Sequence, residues 1–319
     1  MENRPGAAGP VKGELTLAEP STYYELKDVI KGEVLVGEPM SRHTSWRIGG
    51  PADLFVVPRD IDDLREALMY ARRYTIPVSV VGNGTNLLVS DLGVRGMVIK
   101  IGPGLAGIEV RDNTITAGAG APLPRLAARA LESGLAGFEF LAGIPGTVGG
   151  ALVMNAGANG CSVGERVKRV TAVDYGGNEL HFDRRELGFS YRHSCLAQKR
   201  LIIAEVVFEG VPGRPEEIKQ RMESYLIRRR QTQPLEHPNA GSVFKNPPGD
   251  SAGRLIEQAG CKGMRVGAIE VSPRHANFFV NLGGGTARDV LKLVEQVRRR
   301  VEEKYGCKLV LEVQKLGEF

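Results

Sequence analysis

The chain has no run approaching the roughly 18 to 20 consecutive apolar residues that a membrane-spanning helix needs. Its first twenty residues, MENRPGAAGPVKGELTLAEP, contain no apolar core of the kind a secretory signal carries, and residues 1–21 read as a flexible tail. Both absences point to a cytoplasmic protein that does not engage a membrane. Cysteine is scarce as well. Cys161, Cys195, Cys261 and Cys307 stand far apart without C-x-x-C pairing, which argues against a disulfide framework or a zinc site and for reduced thiols. The five histidines show no H-x-x-x-H spacing, so no metal site is expected. Aromatics are only 6% of residues, and neither basic triplet (228–230 or 298–300) is interleaved with them, which argues against nucleic acid. Arg298-Arg299-Arg300 sits late in an expected helix and reads as a solvated, dipole-complementing end. Charge of either sign is nearly balanced, with 42 basic and 37 acidic residues. No apolar interface stripe stands out, so a monomer is expected.

What the chain does have is glycine, 41 residues of it in 319. A length of 319 suits two or three domains. In residues 22–101, strands at Ala52–Pro58, Pro77–Val81, Leu87–Val89 and Gly96–Ile101 surround a helix capped by Asp60 and running to Tyr74. Its apolar face is Ile61, Leu64, Ala67, Leu68 and Ala71. Pro77–Val81 reads as a buried strand. Residues 102–211 read as an antiparallel sheet turning at Asp112-Asn113 and Gly176-Gly177, with a helix over Pro122–Ser133 stopped by Gly134. Gly210–Gly213 reads as a linker. In 212–306, helices are expected at Pro215–Arg229, around Ala252–Ala259, and from the Thr286 cap to Lys304, with a strand at His275–Asn281. Leu309–Val313 (LVLEV) reads as a last strand, and the C-terminal segment 307–319 is a candidate to complete the first subdomain.

Two glycine-rich runs carry the functional signal. VVGNGTNLLVSD (80–91) is a tight turn between apolar segments, able to aim backbone N–H groups at an anion. It is not a dinucleotide fingerprint of the Rossmann kind, because Leu87 stands where the third glycine belongs and a strand follows. Nor does it contain the Gly-Lys-Ser/Thr of a P-loop. A plain hairpin turn is the alternative. LAGIPGTVGGALVMNAGANG (141–160) permits close backbone approach to a flat or charged ligand, or else is a close-packed turn region. Two such runs in adjacent domains suggest a dinucleotide in the crevice between them.

WRIGGPA (46–52), GNGTNLLVSD, the 141–160 run, SYR (190–192), NAGSVFKNP (239–247), SAGRLIEQAGCKG (251–263) and HANFFVN (275–281) resemble the UDP-N-acetylenolpyruvoylglucosamine reductase family, in order over about residues 40 to 315. The resemblance implies an α+β protein: an FAD-binding fold of the vanillyl-alcohol-oxidase/PCMH type in two subdomains (22–101 and 102–211), plus an α+β substrate-binding domain (212–306). It implies that NADPH, as co-substrate, reduces FAD. The reduced flavin then delivers hydride to C3 of the enolpyruvyl group, C2 is protonated, and UDP-N-acetylmuramate forms for peptidoglycan. Carried onto this sequence, the catalytic residues are Arg192, Ser242 and Glu312. Arg192 is a permanent cation for the developing carboxylate charge, Ser242 the proton donor, and Glu312 an aid to protonation. Read from alternation alone, Glu312 points away from Leu311 and Val313 and is more simply a solvent-facing residue.

The expected FAD ligands are Arg47, Gly82, Asn83, Gly84, Thr85, Asn86 and Leu87, then Gly143, Pro145, Gly146, Thr147, Gly149, Gly150, Asn155, Ala156 and Gly157. No histidine lies in the glycine turn, which fits non-covalent FAD. Tyr191, Arg230, Lys245 and Asn246 are expected to bind the UDP-sugar. Gln233 stands where other members have a lysine, a departure that resembles the shorter, second type of the family. A flavin oxidase and a non-catalytic nucleotide-binding module are the competing readings; separation of Arg192, Ser242 and Glu312 in space would favour the module.

Overall fold

The computed structural model describes residues 20–319. The expected tail, 1–21, lies outside them except for its last two residues, which open helix α1 (Pro20–Val29). No helix among the described residues is long and apolar enough to cross a membrane.

The first part contains β1 (Glu33–Pro39), β2 (Pro51–Val57), α2 (Ile61–Arg73), β3 (Val78–Val81), β4 (Leu87–Val89) and β5 (Val94–Lys100). Four of these strands form a sheet in the order β1-β2-β5-β3, antiparallel at its first pair and parallel thereafter. The Asp60 side chain accepts the Asp63 amide and caps α2, which buries Leu64, Ala67, Leu68 and Ala71. β3 is an edge strand and is not buried as expected: Val80 is 39% exposed because its outer face borders a large cavity.

The second part is an antiparallel sheet in the order β12-β11-β13-β7-β6. Its elements in chain order are β6 (Ile108–Arg111), β7 (Thr114–Gly118), α3 (Leu123–Glu132), β8 (Leu135–Ala136), α4 (Val148–Val153), β9 (Gly157–Ala158), β10 (Cys161–Ser162), β11 (Val167–Asp174), β12 (Glu179–Asp183) and β13 (Leu201–Glu209). The hairpins turn at Asp112 (φ 49°) and Gly177 (φ 82°). Residues 210–213 are not a free linker. Val211-Pro212 form β14 and pair with β8, which satisfies backbone groups that a bare linker leaves to water.

Helix α5 (Pro215–Thr232) follows and packs on the second part: Ile218 is buried, Met222 and Tyr225 lie against its core, and Arg221 pairs with the buried Glu139 at 2.8 Å. The third part holds α6 (Ala252–Gln258), β15 (Arg265–Val266), β16 (Ile269–Val271), β17 (Phe279–Asn281) and α7 (Ala287–Tyr305). Thr286 and Asp289 cap α7 reciprocally, and Gly306 (φ 64°) ends it. Three sequence expectations fail here. His275–Phe278 is a turn closed by the Phe278 amide on the His275 carbonyl, so only Phe279–Asn281 is strand. Leu309–Val313 is irregular, because its backbone serves several partners in turn, and the strand is β18 (Gln314–Leu316), parallel to β4. Of the triplet 298–300, Arg299 and Arg300 are exposed as expected, but Arg298 is not solvated: its Nε donates to the Leu309 carbonyl at 3.0 Å and its guanidinium lies over Phe244.

The first and second parts share one apolar core, whereas the third has its own, built from residues 240–313 together with Trp46, Ile48 and Leu88. Within the first part, Asp63 is 2% exposed and accepts the amides of Lys31 (3.0 Å), Gly32 (2.7 Å) and Arg59 (3.0 Å). Burial works to raise its carboxyl, and these amide donors more than offset it, leaving the group below its ordinary value. A depressed carboxyl contributes stability that is fully present above the unfolded-state value and is lost as pH falls through the folded one. Asp63→Ala is expected to lower urea-unfolding stability by about 2–3 kcal/mol at neutral pH, and the deficit is expected to shrink as pH falls through the Asp63 titration. A deficit independent of pH contradicts this.

Candidate active site

A cavity of about 1330 Å³ opens where the three parts meet. The turn from Gly82 to Leu87 forms one wall. Gly84 has φ 62°, and a Cβ there would lie 2.0 Å from the His43 carbonyl oxygen; at Gly82 it would lie 2.5 Å from Thr147 Oγ1. The turn is thus pressed against its supports: only glycine fits at position 84, and a side chain at position 82 would displace the Thr147 hydroxyl. Asn83 Nδ2 donates to the Pro145 carbonyl at 3.3 Å and ties this turn to the second glycine-rich run. Among the described residues, no intramolecular acceptor takes the backbone N–H of Gly82, Asn83, Gly84, Thr85 or Asn86. Five idle amides along a cavity wall form a nest for an anion.

Three distant stretches bring Arg192, Ser242 and Glu312 to the same cavity. Arg192 Nε donates to Glu312 Oε1 at 2.5 Å and its Nη2 to the Gly157 carbonyl at 3.1 Å. Arg192 has φ 52°, a left-handed conformation that an arginine adopts only when its surroundings demand it. Glu312 is fixed by its backbone: its amide donates to the Val243 carbonyl, and its carbonyl accepts Asn86 Nδ2. Its side chain is 14% exposed, so it is not solvent-facing. Burial raises its carboxyl above the ordinary value, against the opposing pull of Arg192 and Lys245. Ser242 forms an isolated bridge with Phe278. His275, also on the cavity, is held below its ordinary value by burial.

The sequence model described as "UDP-N-acetylenolpyruvoylglucosamine reductase, C-terminal domain" matches residues 233–316, and "FAD binding domain" matches 52–183. UDP-N-acetylenolpyruvoylglucosamine reductase of Desulforamulus reducens is 49% identical over 295 residues, 92% of this chain and 97% of that one. That of Moorella thermoacetica is 49% identical over 294 residues, again covering 92% and 97%. The chain belongs to the UDP-N-acetylenolpyruvoylglucosamine reductase family. It also superposes on the crystal structure of UDP-N-acetylenolpyruvylglucosamine reductase from Thermus caldophilus with a TM-score of 0.77 at 37% identity, over 90% of this chain and 99% of that one. It is an FAD-dependent oxidoreductase with the α+β, FAD-binding fold expected from its sequence.

The residues present fit FAD, the cofactor that membership in this reductase family implies. The idle amides suit a pyrophosphate, and the cavity exceeds the roughly 300–1,000 Å³ of ordinary ligand pockets, leaving room for a dinucleotide and a second ligand. Of the expected cofactor ligands, Arg47, Gly82–Leu87, Gly143, Pro145, Gly146, Thr147, Gly149, Gly150, Ala156 and Gly157 line it. Asn155 does not. It is 5% exposed and its amide is used up on backbone, donating to the Ser190 carbonyl at 2.7 Å and accepting the Gly164 amide at 2.9 Å. It braces the wall just before Arg192 instead.

Arg230 is likewise misplaced. One step along α5 turns it to solvent, while Arg228 and Arg229 face the cavity. Arg229 is half-buried, with no carboxylate partner among the described residues, and burial weakens its hold on its proton. Tyr191 and Lys245 line a neighbouring hollow of about 510 Å³, and Asn246 borders both spaces. Sequence reasoning missed Tyr175, Lys199, Arg228, Arg229 and His275 as cavity residues. The arginine triplet flagged the right stretch, but its facing residue depends on where α5 sits; Tyr175 and Lys199 carry no motif.

Proposed function

We propose that this chain reduces UDP-N-acetylglucosamine enolpyruvate to UDP-N-acetylmuramate, with NADPH as reductant and non-covalently held FAD as carrier, in the making of a peptidoglycan precursor. The observation that carries the reading is the convergence of Arg192, Ser242 and Glu312 on the cavity that also contains the idle amides of the glycine turn. The relatives named for this reaction, nearly equal in length to this chain, support the same substrate. We assign FAD to residues 22–101 with 307–319 and to 102–211, and the sugar nucleotide to the space between these and 212–306. Arg47, which also lines the cavity and has no ion-pair partner among the described residues, is assigned to the cofactor's negative charge.

When bound, FAD supplies two-electron hydride chemistry. The protein's part begins with what reduction at C3 of the enolpyruvyl group leaves behind, negative charge on C2 and its carboxylate. The Arg192 guanidinium, fixed by Glu312 and the Gly157 carbonyl, stabilises that charge without reorganising. The Ser242 hydroxyl gives its proton to C2. Glu312, whose carboxyl burial raises, holds the arginine in place and supports reprotonation of the serine. Arg229, which faces the cavity with no carboxylate partner among the described residues, takes over from Arg230 in binding the UDP-sugar, at its diphosphate. Lys245, Tyr191 and Asn246 act from the adjoining hollow. The four unpaired cysteines support a reducing, cytoplasmic setting, and the assignment of every role within one chain supports a monomer.

Ser242→Ala is expected to leave reduction of bound FAD by NADPH intact and to slow reoxidation by the enolpyruvyl substrate by about 10²-fold or more, read by stopped-flow absorbance. Loss of flavin binding, or unchanged reoxidation, contradicts the donor role. Arg229→Ala is expected to raise the KM for the UDP-sugar by roughly tenfold or more, the worth of a charge-assisted hydrogen bond, and Arg230→Ala to leave it unchanged. Equal effects of the two overturn the reassignment.

A further inference from the structure

Trp46 is the chain's one tryptophan, and it does not belong to the core of the part that supplies it. Its side chain is fully buried in the third part's core, together with Ile48. The indole Nε1 donates to the Phe279 carbonyl at 2.8 Å, and the buried Asn281 donates its Nδ2 to the Trp46 carbonyl at 3.0 Å. Ser45 Oγ adds a bond to the Asn239 carbonyl at 2.7 Å. The loop is closed on itself by Thr44, whose Oγ1 accepts the Ile48 amide at 3.1 Å and donates to the Ile48 carbonyl at 2.8 Å. Residues 44–48 therefore form a peg, rooted in the first part and locked into the third.

Arg47 lies between the two buried side chains of this peg. With Trp46 and Ile48 drawn into the third part, the residue between them is turned outward, and its backbone takes φ 56°. A non-glycine residue in this region is strained, so the conformation persists only because its neighbours fix it. The guanidinium so presented lines the main cavity. The same peg touches the glycine turn, since the Ser45 amide donates to the Gly84 carbonyl at 3.2 Å.

We propose that Trp46 is a positioning residue for the cofactor: its anchorage in the third part's core fixes Arg47, so FAD affinity depends on the packing of a region other than the FAD-binding one. This rests on the assignment of Arg47 to FAD. An indole that only filled core would change stability and leave Arg47 where it is.

The test is a double-mutant cycle in the full chain, reading the FAD dissociation constant by titration of apoprotein. Its members are Trp46→Phe, which keeps an aromatic ring but removes the Nε1 donor, Arg47→Ala, and the pair. Expected are a loss of roughly threefold to tenfold for W46F and about tenfold or more for R47A, with the double variant losing less than the product of the two. Losses that multiply, or a W46F protein that melts lower yet binds FAD as wild type, overturn the proposal. An R47A protein with unchanged FAD affinity removes the Arg47 assignment itself, which is a different failure. Should W46F not fold, Ser45→Ala, which cuts the side-chain tie from Ser45 to the Asn239 carbonyl in the third part, takes its place in the cycle with the same outcomes.

Discussion

The stretch from Val310 to Leu316 has to satisfy all three parts of the molecule at once, and the cavity exists because it does. The Val310 carbonyl accepts the Lys245 amide, and Leu311 bridges to Phe244 in the third part. Glu312 reaches the second part through Arg192, and the Gln314 amide and strand β18 join the first at Asn86 and β4. At the centre is a carboxylate that burial disfavours, held by a guanidinium 2.5 Å away. Removing either member of such a pair leaves an uncompensated buried charge, a change that typically destabilises by about 3–5 kcal/mol. The pair is thus a joint between parts before it is a piece of chemistry.

Backbone strain is concentrated around the same space. Arg47 and Arg192 both occupy the left-handed region, and both line the cavity. Each is held by burial or bonding of what flanks it: the Trp46 peg for the one, and for the other the Glu312 pair together with Asn155, which pins Ser190. Arginines fixed in this way present charge to a ligand without first losing side-chain freedom, which is the preorganisation that electrostatic stabilisation requires. With Arg228, Arg229 and Lys199 they make the cavity locally basic. A net charge of +5 over 319 residues gives no hint of that concentration.

Local signals were legible in the sequence wherever short-range chemistry decides. Asp60 and Thr286 were recognised as caps because a side-chain acceptor at a helix start has one obvious use, and the Asp112 and Gly176-Gly177 hairpins because their turns demand those residues. Alternation misled at LVLEV, where each backbone group is claimed by a different partner and no ladder forms. It also favours a solvent-facing Glu312, which the approach of Arg192, 120 residues away, overturns. Asn155 failed for a related reason. A polar residue in a glycine-rich run looks like a ligand contact until its amide is seen to be used on Ser190 and Gly164. Arg229 and Arg230 are neighbours whose opposite fates depend on where α5 lies, and that is fixed by Arg221 meeting Glu139.

Whether the cavity reduces an enolpyruvyl ether through bound flavin can be read from the anaerobic visible spectrum of the FAD-loaded protein. NADPH is added first and UDP-N-acetylglucosamine enolpyruvate second. The flavin absorbance is expected to bleach with NADPH and to return when the enolpyruvyl substrate is added. Absorbance that bleaches and stays bleached in the presence of that substrate would contradict this reaction.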